Sequence, residues 1–450
     1  MLITFKNNYQ KVRHHLKNFI IFLLIFPLTG CASGQNKEKK NQETVVTVWH
    51  WMSDRDEAFL VLAKKFETEQ HVKVKFELYA PSEAYAQRVK ASAQTNKLPD
   101  IYGILGEKRD FASFIKSGYV TNLSADLSAE KDGSAWKDRF FQKALSVNEF
   151  LPGNEYGVEP GIYGIPLDVT TIQMVYNKKL YRQAGLDSNV PPETWEQFLN
   201  HCKILKDHGI PRFVSGFGEI WMIDALASNF AMNLMGEQKV FDTYAGKVPY
   251  TDPDWVKVLS LFKQITDDKI LVDGAVTMVN KIAEQTFANE RAAYAFNGSW
   301  CVNVYKGMNP RLDYGAILPP KITNLHPMKI WGGAGGSFVV NNKSPRRTEA
   351  VRFLEWLTEE SQQVFLAKET ENLPANKKSA KEIPQVLSEF ADDMDNSTHP
   401  NIYPVHENSA VTEAFDKGIQ SILIGEKAPA EVAQEVQKIK EKESKKNGYS

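Results

Sequence analysis

The sequence predicts an α/β fold with mostly parallel sheets and more than one domain. Residues 45–49 and 72–78 have strand character, and between them Phe59, Leu62 and Phe66 recur at helical spacing. A second helical stretch, 83–95, precedes a third short strand at 98–103. Alternation of this kind implies right-handed crossovers and parallel pairing. A chain of 450 residues is longer than one hydrophobic core usually organises, so we expect at least two domains.

Composition and motifs exclude several classes of protein. A formal net charge of -1, with no Lys/Arg cluster outside the two termini, argues against nucleic-acid binding. The chain contains no His-Glu-x-x-His segment, no cysteine pair with zinc spacing and no Gly-x-Ser-x-Gly turn. We therefore predict no catalytic residues, no metal ligands and no cofactor. Cys202 and Cys301 are interpreted as two buried thiols, although one bridge between them is allowed.

The first residues have the pattern of a secretion signal. Basic residues precede an apolar run at 19–28, which is too short to span a bilayer as a stable helix, and Cys31 follows directly after Leu28-Thr29-Gly30. This ending resembles the lipobox of bacterial lipoproteins, in which the cysteine carries the lipid. We predict a signal peptide at 1–30, lipidation at Cys31 and a solvated tether at 31–43, with an ordinary signal peptide as the alternative.

The loops after the first and third strands are candidate binding loops. In open sheets with parallel strands, ligands lie beyond the carboxyl ends of the strands. This rule indicates the loops 50–54 and 103–108, and in the first of them His50, Trp51 and Asp54 are candidate ligand contacts.

The stretch 163–205 organises the rest of the chain. Gly164 and Pro166 interrupt an apolar segment, and a buried strand is predicted at 169–176 because Val, Thr, Ile and Tyr dominate it. A short helix is predicted at 178–184, ending at Gly185, and another helix begins near Trp195 after Thr194.

The second half continues the alternation of helices and strands. The glycine-rich turn 332–336 lacks a following helix and a Gly-Lys-Ser ending, so we interpret it as close backbone approach rather than a phosphate site, with Gly333 as a candidate contact. Strands are predicted at 213–217, 314–318 and 337–341, and helices at 221–234, 255–265, 279–287, 344–357, 413–424 and 429–440.

Several motifs together resemble the sugar-binding proteins of ABC importers, the family that includes maltose-binding protein. The matching segments are Tyr163-Gly164-Ile165-Pro166, Tyr176-Asn177-Lys178, Ala184-Gly185, Pro191-Pro192-Glu193-Thr194-Trp195 and Gly298-Ser299-Trp300. The resemblance implies a two-lobed periplasmic-binding-protein-like fold with the ligand cleft at the hinge. It implies an N-terminal lobe of 44–165 and 333–385 and a C-terminal lobe of 166–332 and 386–450.

The same resemblance implies a function and a set of site residues. A monomeric, lipid-anchored protein on the extracytoplasmic face of the cell membrane would bind a carbohydrate and deliver it to the transmembrane permease subunits. Aromatic faces stack on sugars and carboxylates orient their hydroxyls. The expected contacts beyond the first loop are Asp168, Trp221, Trp300, Trp331 and Tyr403. Two other classes remain open: a binding protein for a polyamine, phosphodiester or peptide, and a surface glycosidase with two acidic residues.

Overall fold

Two β-sheets form the framework of the protein in the computed structural model, which describes residues 44–446 except 107, 132 and 393. The predicted Cys31 lipidation and the predicted signal peptide and tether lie outside these residues. The strands are β1 Val45–His50, β2 Lys73–Leu78, β3 Ile101–Tyr102, β4 Glu130–Lys131, β5 Ser134–Ala135, β6 Glu149–Phe150, β7 Gly161–Ile162, β8 Ile165–Pro166, β9 Asp168–Asn177, β10 Phe213–Ser215, β11 Tyr294–Gly298, β12 Tyr314–Ile317, β13 Ile330–Ala334, β14 Ser337–Val340, β15 Leu373–Pro374 and β16 Ser397–Thr398.

Helices flank both sheets. They are α1 Asp56–Gln70, α2 Ser82–Gln94, α3 Lys108–Lys116, α4 Ser124–Ser128, α5 Gln142–Val147, α6 Lys178–Gln183, α7 Trp195–Asp207, α8 Ile220–Met235, α9 Glu237–Tyr244, α10 Pro253–Asp267, α11 Asn280–Ala288, α12 Cys301–Met308, α13 Arg347–Leu357, α14 Glu360–Thr370, α15 Gln385–Ala391, α16 Ser409–Leu423 and α17 Pro429–Lys446. Short 3-10 helices occur at Trp136–Arg139, Ala275–Thr277, Ser379–Glu382, Met394–Asn396 and Pro400–Ile402.

In the stretch 163–205, the predicted helix ends and the predicted strand are present in the structure. Gly185 has φ of 74°, the left-handed conformation that commonly ends a helix. Thr194 caps α7 with a capping box: its side chain accepts the Gln197 N–H at 3.3 Å, and the Gln197 side chain accepts the Thr194 N–H at 3.1 Å. The predicted strand at 169–176 is β9, which extends from Asp168 to Asn177.

Both sheets are of mixed type, whereas the sequence predicted mostly parallel ones. In the five-stranded sheet, β1 lies parallel to β2 and β3, but β14 is antiparallel to β3 and β8. In the seven-stranded sheet, β9 pairs antiparallel with β11, β12, β13 and β15. The reason is that β9 and β14 enter directly from the other sheet, without the helical crossover that parallel pairing requires.

The chain changes sheet at two adjacent places. Residue Leu167 separates β8 in the first sheet from β9 in the second, and Gly335 and Gly336 separate β13 in the second from β14 in the first. Hydrogen bonds join the two crossings: Leu167 N–H donates to the Gly336 carbonyl at 2.8 Å, and Gly335 N–H donates to the Asp168 carbonyl at 3.1 Å.

Separate apolar cores lie around the two sheets. Phe59, Phe66 and Phe353 belong to the core of the first sheet, and Phe198, Phe230 and Trp255 belong to that of the second. Cys202 and Cys301 are buried free thiols, as predicted. Within the described part of the chain, no helix is both long and apolar enough to cross a membrane.

Candidate functional site

A cavity of about 620 Å³ lies between elements of the two sheets. From the side of the first sheet, the segment that leads into α3 contributes to its wall. From the side of the second sheet, α8, β13, the loop after β16 and α16 contribute. The lining residues are Gly106, Lys108, Arg109, Tyr156, Ile220, Trp221, Asp224, Ser228, Tyr244, Trp331, His399, Pro400, Asn401, Tyr403, His406, Glu407, Ser409, Thr412, Glu413 and Asp416.

Aromatic rings form part of this wall. Trp221 lies at the start of α8, lines the cavity and is 37% exposed, so part of its side chain is available to a ligand. Trp331, on β13, is half-buried, and its Nε1 donates to Ser228 Oγ at 2.8 Å, which holds the ring against α8. Tyr403 packs against the Phe241 ring at 5.2 Å between centroids. The cavity thus offers large, rigid apolar surfaces of the kind on which sugar C–H faces stack.

Carboxyl groups from α8 and α16 form another part of the wall. Asp224 and Asp416 both line the cavity, and burial raises the pKa of each, with Asp224 and Glu413 adding repulsion at Asp416. Asp416 is 2% exposed, and its Oδ1 has no hydrogen-bond partner among the described residues. Glu407 differs from both, because Lys440 forms an ion pair with it and Tyr250 donates to it at 3.0 Å.

Nitrogen groups line the cavity from both sides, with Lys108 on the side of the first sheet and His399 in the loop after β16. The Lys108 ammonium donates to the carbonyls of Val147 at 2.6 Å and Glu149 at 2.7 Å, and burial lowers its pKa to about 7. Burial, with Lys108 nearby, lowers the pKa of His399 to about 4, so this imidazole is neutral at physiological pH. Lys108 N–H also donates to Asn401 Oδ1 at 3.2 Å, which joins the two walls.

The structure brings three of the residues predicted as ligand contacts into the cavity wall: Trp221, Trp331 and Tyr403. Two more lie next to it. The ring of Trp300 is 6.1 Å from that of Trp221, and its Nε1 donates to Glu284 Oε1 at 3.0 Å. A Cβ on Gly333 would be 3.7 Å from the His399 ring, so the glycine lies behind this lining residue.

The other predicted contacts lie elsewhere. His50 is fully buried in the core, with its Nε2 3.0 Å from Asp56 Oδ1 and its ring edge-on to Phe59. Trp51 packs on Tyr85, with ring centroids 5.2 Å apart. Asp168 forms an ion pair with Arg55, and Asp54 also contacts Arg55 at 3.2 Å. These four residues support the strand ends and the crossings between the sheets, and none of them lines the cavity.

The residues that sequence reasoning missed include Asp224, Asp416 and Lys108. A usable signal existed for Asp224, because it is the only charged residue in the mostly apolar sequence of α8. Such a carboxylate on a buried helix is costly unless it has a partner or a function. Asp416 gave no such signal, since α16 also carries Glu413 and Lys417 and has the mixed pattern of a surface helix.

The described residues show no candidate metal centre. No group of three or more His, Cys, Asp or Glu side chains among them could hold an ion.

Two sheets joined by adjacent crossings, with a cavity lined from both, define a solute-binding protein of two lobes. The chain belongs to the bacterial extracellular solute-binding protein family, whose sequence profile matches residues 61–396. The family prediction from the sequence is therefore confirmed. Membership of this family places the protein on the extracytoplasmic side of the membrane.

Relatives cover most of the chain at low identity. The multiple sugar-binding protein of Streptococcus mutans is 22% identical over 357 residues, covering 75% of this chain and 77% of its own. The galactooligosaccharide-binding protein of Bacillus subtilis is 22% identical over 411 residues, covering 89% of this chain and 90% of its own.

Solved structures confirm the predicted fold. A chitin oligosaccharide binding protein superposes with a TM-score of 0.72 at 20% identity, covering 89% of this chain and 98% of its own. An ABC transporter solute-binding protein from Thermotoga lettingae, solved with α-D-tagatose, superposes with a TM-score of 0.71 at 18% identity, covering 89% of this chain and 99% of its own.

Proposed function

We propose that the protein captures a sugar or oligosaccharide in the cavity between its lobes and delivers it to the transmembrane subunits of an ABC permease, without chemical change to the ligand. The observation that carries the proposal is the cavity wall, where Trp221, Trp331 and Tyr403 lie beside carboxyl groups. Rings supply stacking area for C–H faces, and carboxylates accept hydroxyl protons in strong, oriented hydrogen bonds. The names of the relatives agree with this substrate class.

The lobes would follow the two sheets. β8 and β14 pair in the first sheet while β9, β13 and β15 pair in the second. This pairing supports a first crossing at residue 167, next to the predicted boundary of 165/166. It favours a second crossing, back to the first lobe, at 335–336 in place of the sequence-based boundary of 332/333. It also favours a third crossing before 373 in place of the sequence-based boundary of 385/386.

We also propose that the protein is a monomer held at the membrane by a lipid on Cys31, with 1–30 removed as a signal peptide. The basis for the anchor is the sequence alone: a short apolar run at 19–28, Cys31 three residues after it, and a polar segment after the cysteine.

The test is thermal unfolding of the purified full-length protein with neutral mono- and oligosaccharides, polyamines and peptides. A ligand at about 100 times its dissociation constant should add about 2.7 kcal/mol to the free energy of unfolding. Stabilisation by one class of glycan, recovered intact, is the expected result. Stabilisation by peptides alone would mean that the ligand is a peptide and not a sugar. Recovery of a cleaved glycan would indicate a glycosidase.

Two substitutions connect binding to the cavity. Trp221→Ala and Trp331→Ala should each weaken glycan binding by about 1–3 kcal/mol, the value of burying one large apolar side chain. Trp195→Ala is the matched control, because Trp195 is half-buried in the same half of the protein but lines a different cavity, of about 540 Å³. Loss of glycan binding in the control variant alone would indicate that the ligand binds in that second cavity.

A further inference from the structure

The cavity contains a pair of carboxyl groups that the protein leaves without a counter-charge. Asp224 extends from α8 and Asp416 from α16, two helices that pack against each other, and both side chains line the cavity. Asp416 is 2% exposed, and its Oδ1 has no hydrogen-bond partner among the described residues. A buried carboxylate oxygen without a donor is costly, so this atom is suited to a donor that arrives with the ligand.

The neighbouring charges do not balance this pair. No basic side chain in the described part of the chain forms an ion pair with either residue, and Glu413 adds a further negative charge. Lys440 is already bound to Glu407. Two basic residues line the cavity from the side of the first sheet. The Lys108 ammonium is held by the carbonyls of Val147 and Glu149, and neither Lys108 nor Arg109 lowers the pKa of either aspartate.

The rings around the pair also favour a cation. Trp221, Tyr244 and Tyr403 line the same cavity as the two carboxyl groups. The faces of such rings attract a positive charge, and the attraction grows when the site excludes water. A metal ion fits less well, because hard cations need about six oxygen ligands and the described residues contain no metal-binding group of three or more such side chains.

We propose that Asp224 and Asp416 form a subsite for a protonated amino group, so that the preferred ligand is an amino sugar or an oligosaccharide with an unacetylated amino sugar unit. This inference rests on the proposed sugar-binding function and specifies its ligand. An ammonium group supplies up to three donors and one positive charge, whereas a hydroxyl supplies one donor and no charge. The ammonium therefore supplies a donor to the Asp416 oxygen and a positive charge that favours the ionised form of both carboxyl groups.

The first experiment compares three β-1,4-linked trisaccharides that differ only at C2. Calorimetric titration of the full-length protein would use the glucosamine trimer with its ammonium groups, the N-acetylglucosamine trimer and the glucose trimer cellotriose. We expect the amine form to bind at least tenfold more tightly than either neutral form. Equal or weaker binding of the amine, or no binding of it, would overturn the inference. Tighter binding of a neutral trimer would overturn the amino sugar inference but leave the proposed sugar-binding function intact.

A simple polyamine separates the two proposals. Spermidine carries the ammonium groups without a sugar ring. Binding of spermidine with no binding of any sugar would contradict the sugar-binding function and, with it, the amino sugar assignment.

Variants then locate the charge recognition. Asp224→Asn and Asp416→Asn keep the size of each side chain but remove its charge, so each should reduce the preference for the amine over the neutral trimers to less than about threefold. Asp267→Asn is the matched control, since this aspartate lies on the surface of α10 in an ion pair with Lys263. An undiminished preference for the amine in both folded variants would overturn the assignment to these residues.

Discussion

At the scale of single residues, Asp224 should make stability depend on pH. Burial raises its pKa, and Asp416, Glu413 and the surrounding tyrosines supply no positive charge to oppose the shift. Above pH of about 4 the unfolded chain releases this proton, while the folded protein retains it up to its raised pKa. Raising the pH through this window therefore lowers the free energy of unfolding.

Asp224→Asn removes the contribution of Asp224 to this pH dependence, while the raised pKa of Asp416 leaves a separate contribution. Because an amide carries no charge to bury, we expect the variant to be more stable than the wild type at pH 7 by about 1–2 kcal/mol, and equally stable near pH 4. Thermal unfolding across pH 4–8 without ligand measures both values. A variant that is less stable than the wild type at every pH would show that the carboxylate is stabilised in the fold.

The candidate residues also show what a sequence can indicate about a site. Trp221, Trp331 and Tyr403 were predictable because large rings at the ends of elements are uncommon without a ligand or a core to cover them. His50 has the same kind of position, at the end of β1, but its side chain is buried in the core, and the direction of the last side chain of a strand depends on the pleat. Asp416 was unpredictable, since its burial depends on how α16 packs against other helices of the fold, among them α8.

At the scale of elements, the ion pair between Arg55 and Asp168 holds the start of β9 against the first sheet. The two side chains are 11% and 6% exposed, and Gly336 N–H also donates to Asp168 Oδ1. Asp168→Ala would leave the guanidinium buried without its main partner, so we expect it to lower the free energy of unfolding by about 3–5 kcal/mol. Urea denaturation measures this loss.

A control distinguishes this buried pair from an exposed one. Asp267→Ala breaks the i,i+4 pair with Lys263, whose side chains are 56% and 40% exposed, and should cost less than about 1 kcal/mol. An equally small loss of stability for Asp168→Ala would mean that the Arg55 guanidinium is hydrated, or paired with Asp54 alone, in the variant.

The elements themselves were largely predictable, and their pairing was less so. Thr194 and Gly185 determine helix ends through contacts within a few residues, which a sequence displays directly. The direction of β9 relative to its neighbours depends on strands distant in the chain. Alternating strands and helices favoured parallel pairing, but the crossing at Leu167 occurs without a helix, and no local pattern shows which sheet the strand joins next.

At the scale of the whole molecule, the predicted lipid anchor determines where the protein acts. Cys31→Ser removes the thiol that would carry the lipid while leaving the described residues unchanged. We expect the variant to leave the membrane fraction when cells are fractionated, because one retained apolar run is too short to hold it as a stable helix. Cys202→Ser is the control, since this thiol is buried in the fold. Membrane association of the Cys31 variant would contradict the anchor.

Closure of the lobes is the last expected property of the whole molecule. The cavity walls contact each other where Lys108 N–H donates to Asn401 Oδ1 at 3.2 Å and where His406 Nε2 lies 3.6 Å from Glu155 Oε1. A ligand held from both walls gains its full contacts only when the walls meet, so it stabilises the closed arrangement by its differential affinity.

Asn401→Ala tests this coupling. Without the amide oxygen, the ligand-free protein should populate the open arrangement more. The apparent affinity for the ligand should then fall in proportion to the smaller fraction of closed protein. Small-angle X-ray scattering should give a larger ligand-free radius of gyration than the wild type and an unchanged radius at saturating ligand. Asn342→Ala, at an exposed position after β14, should change neither value. Equal ligand-free radii with weaker binding would mean that Asn401 acts on the ligand directly rather than through closure.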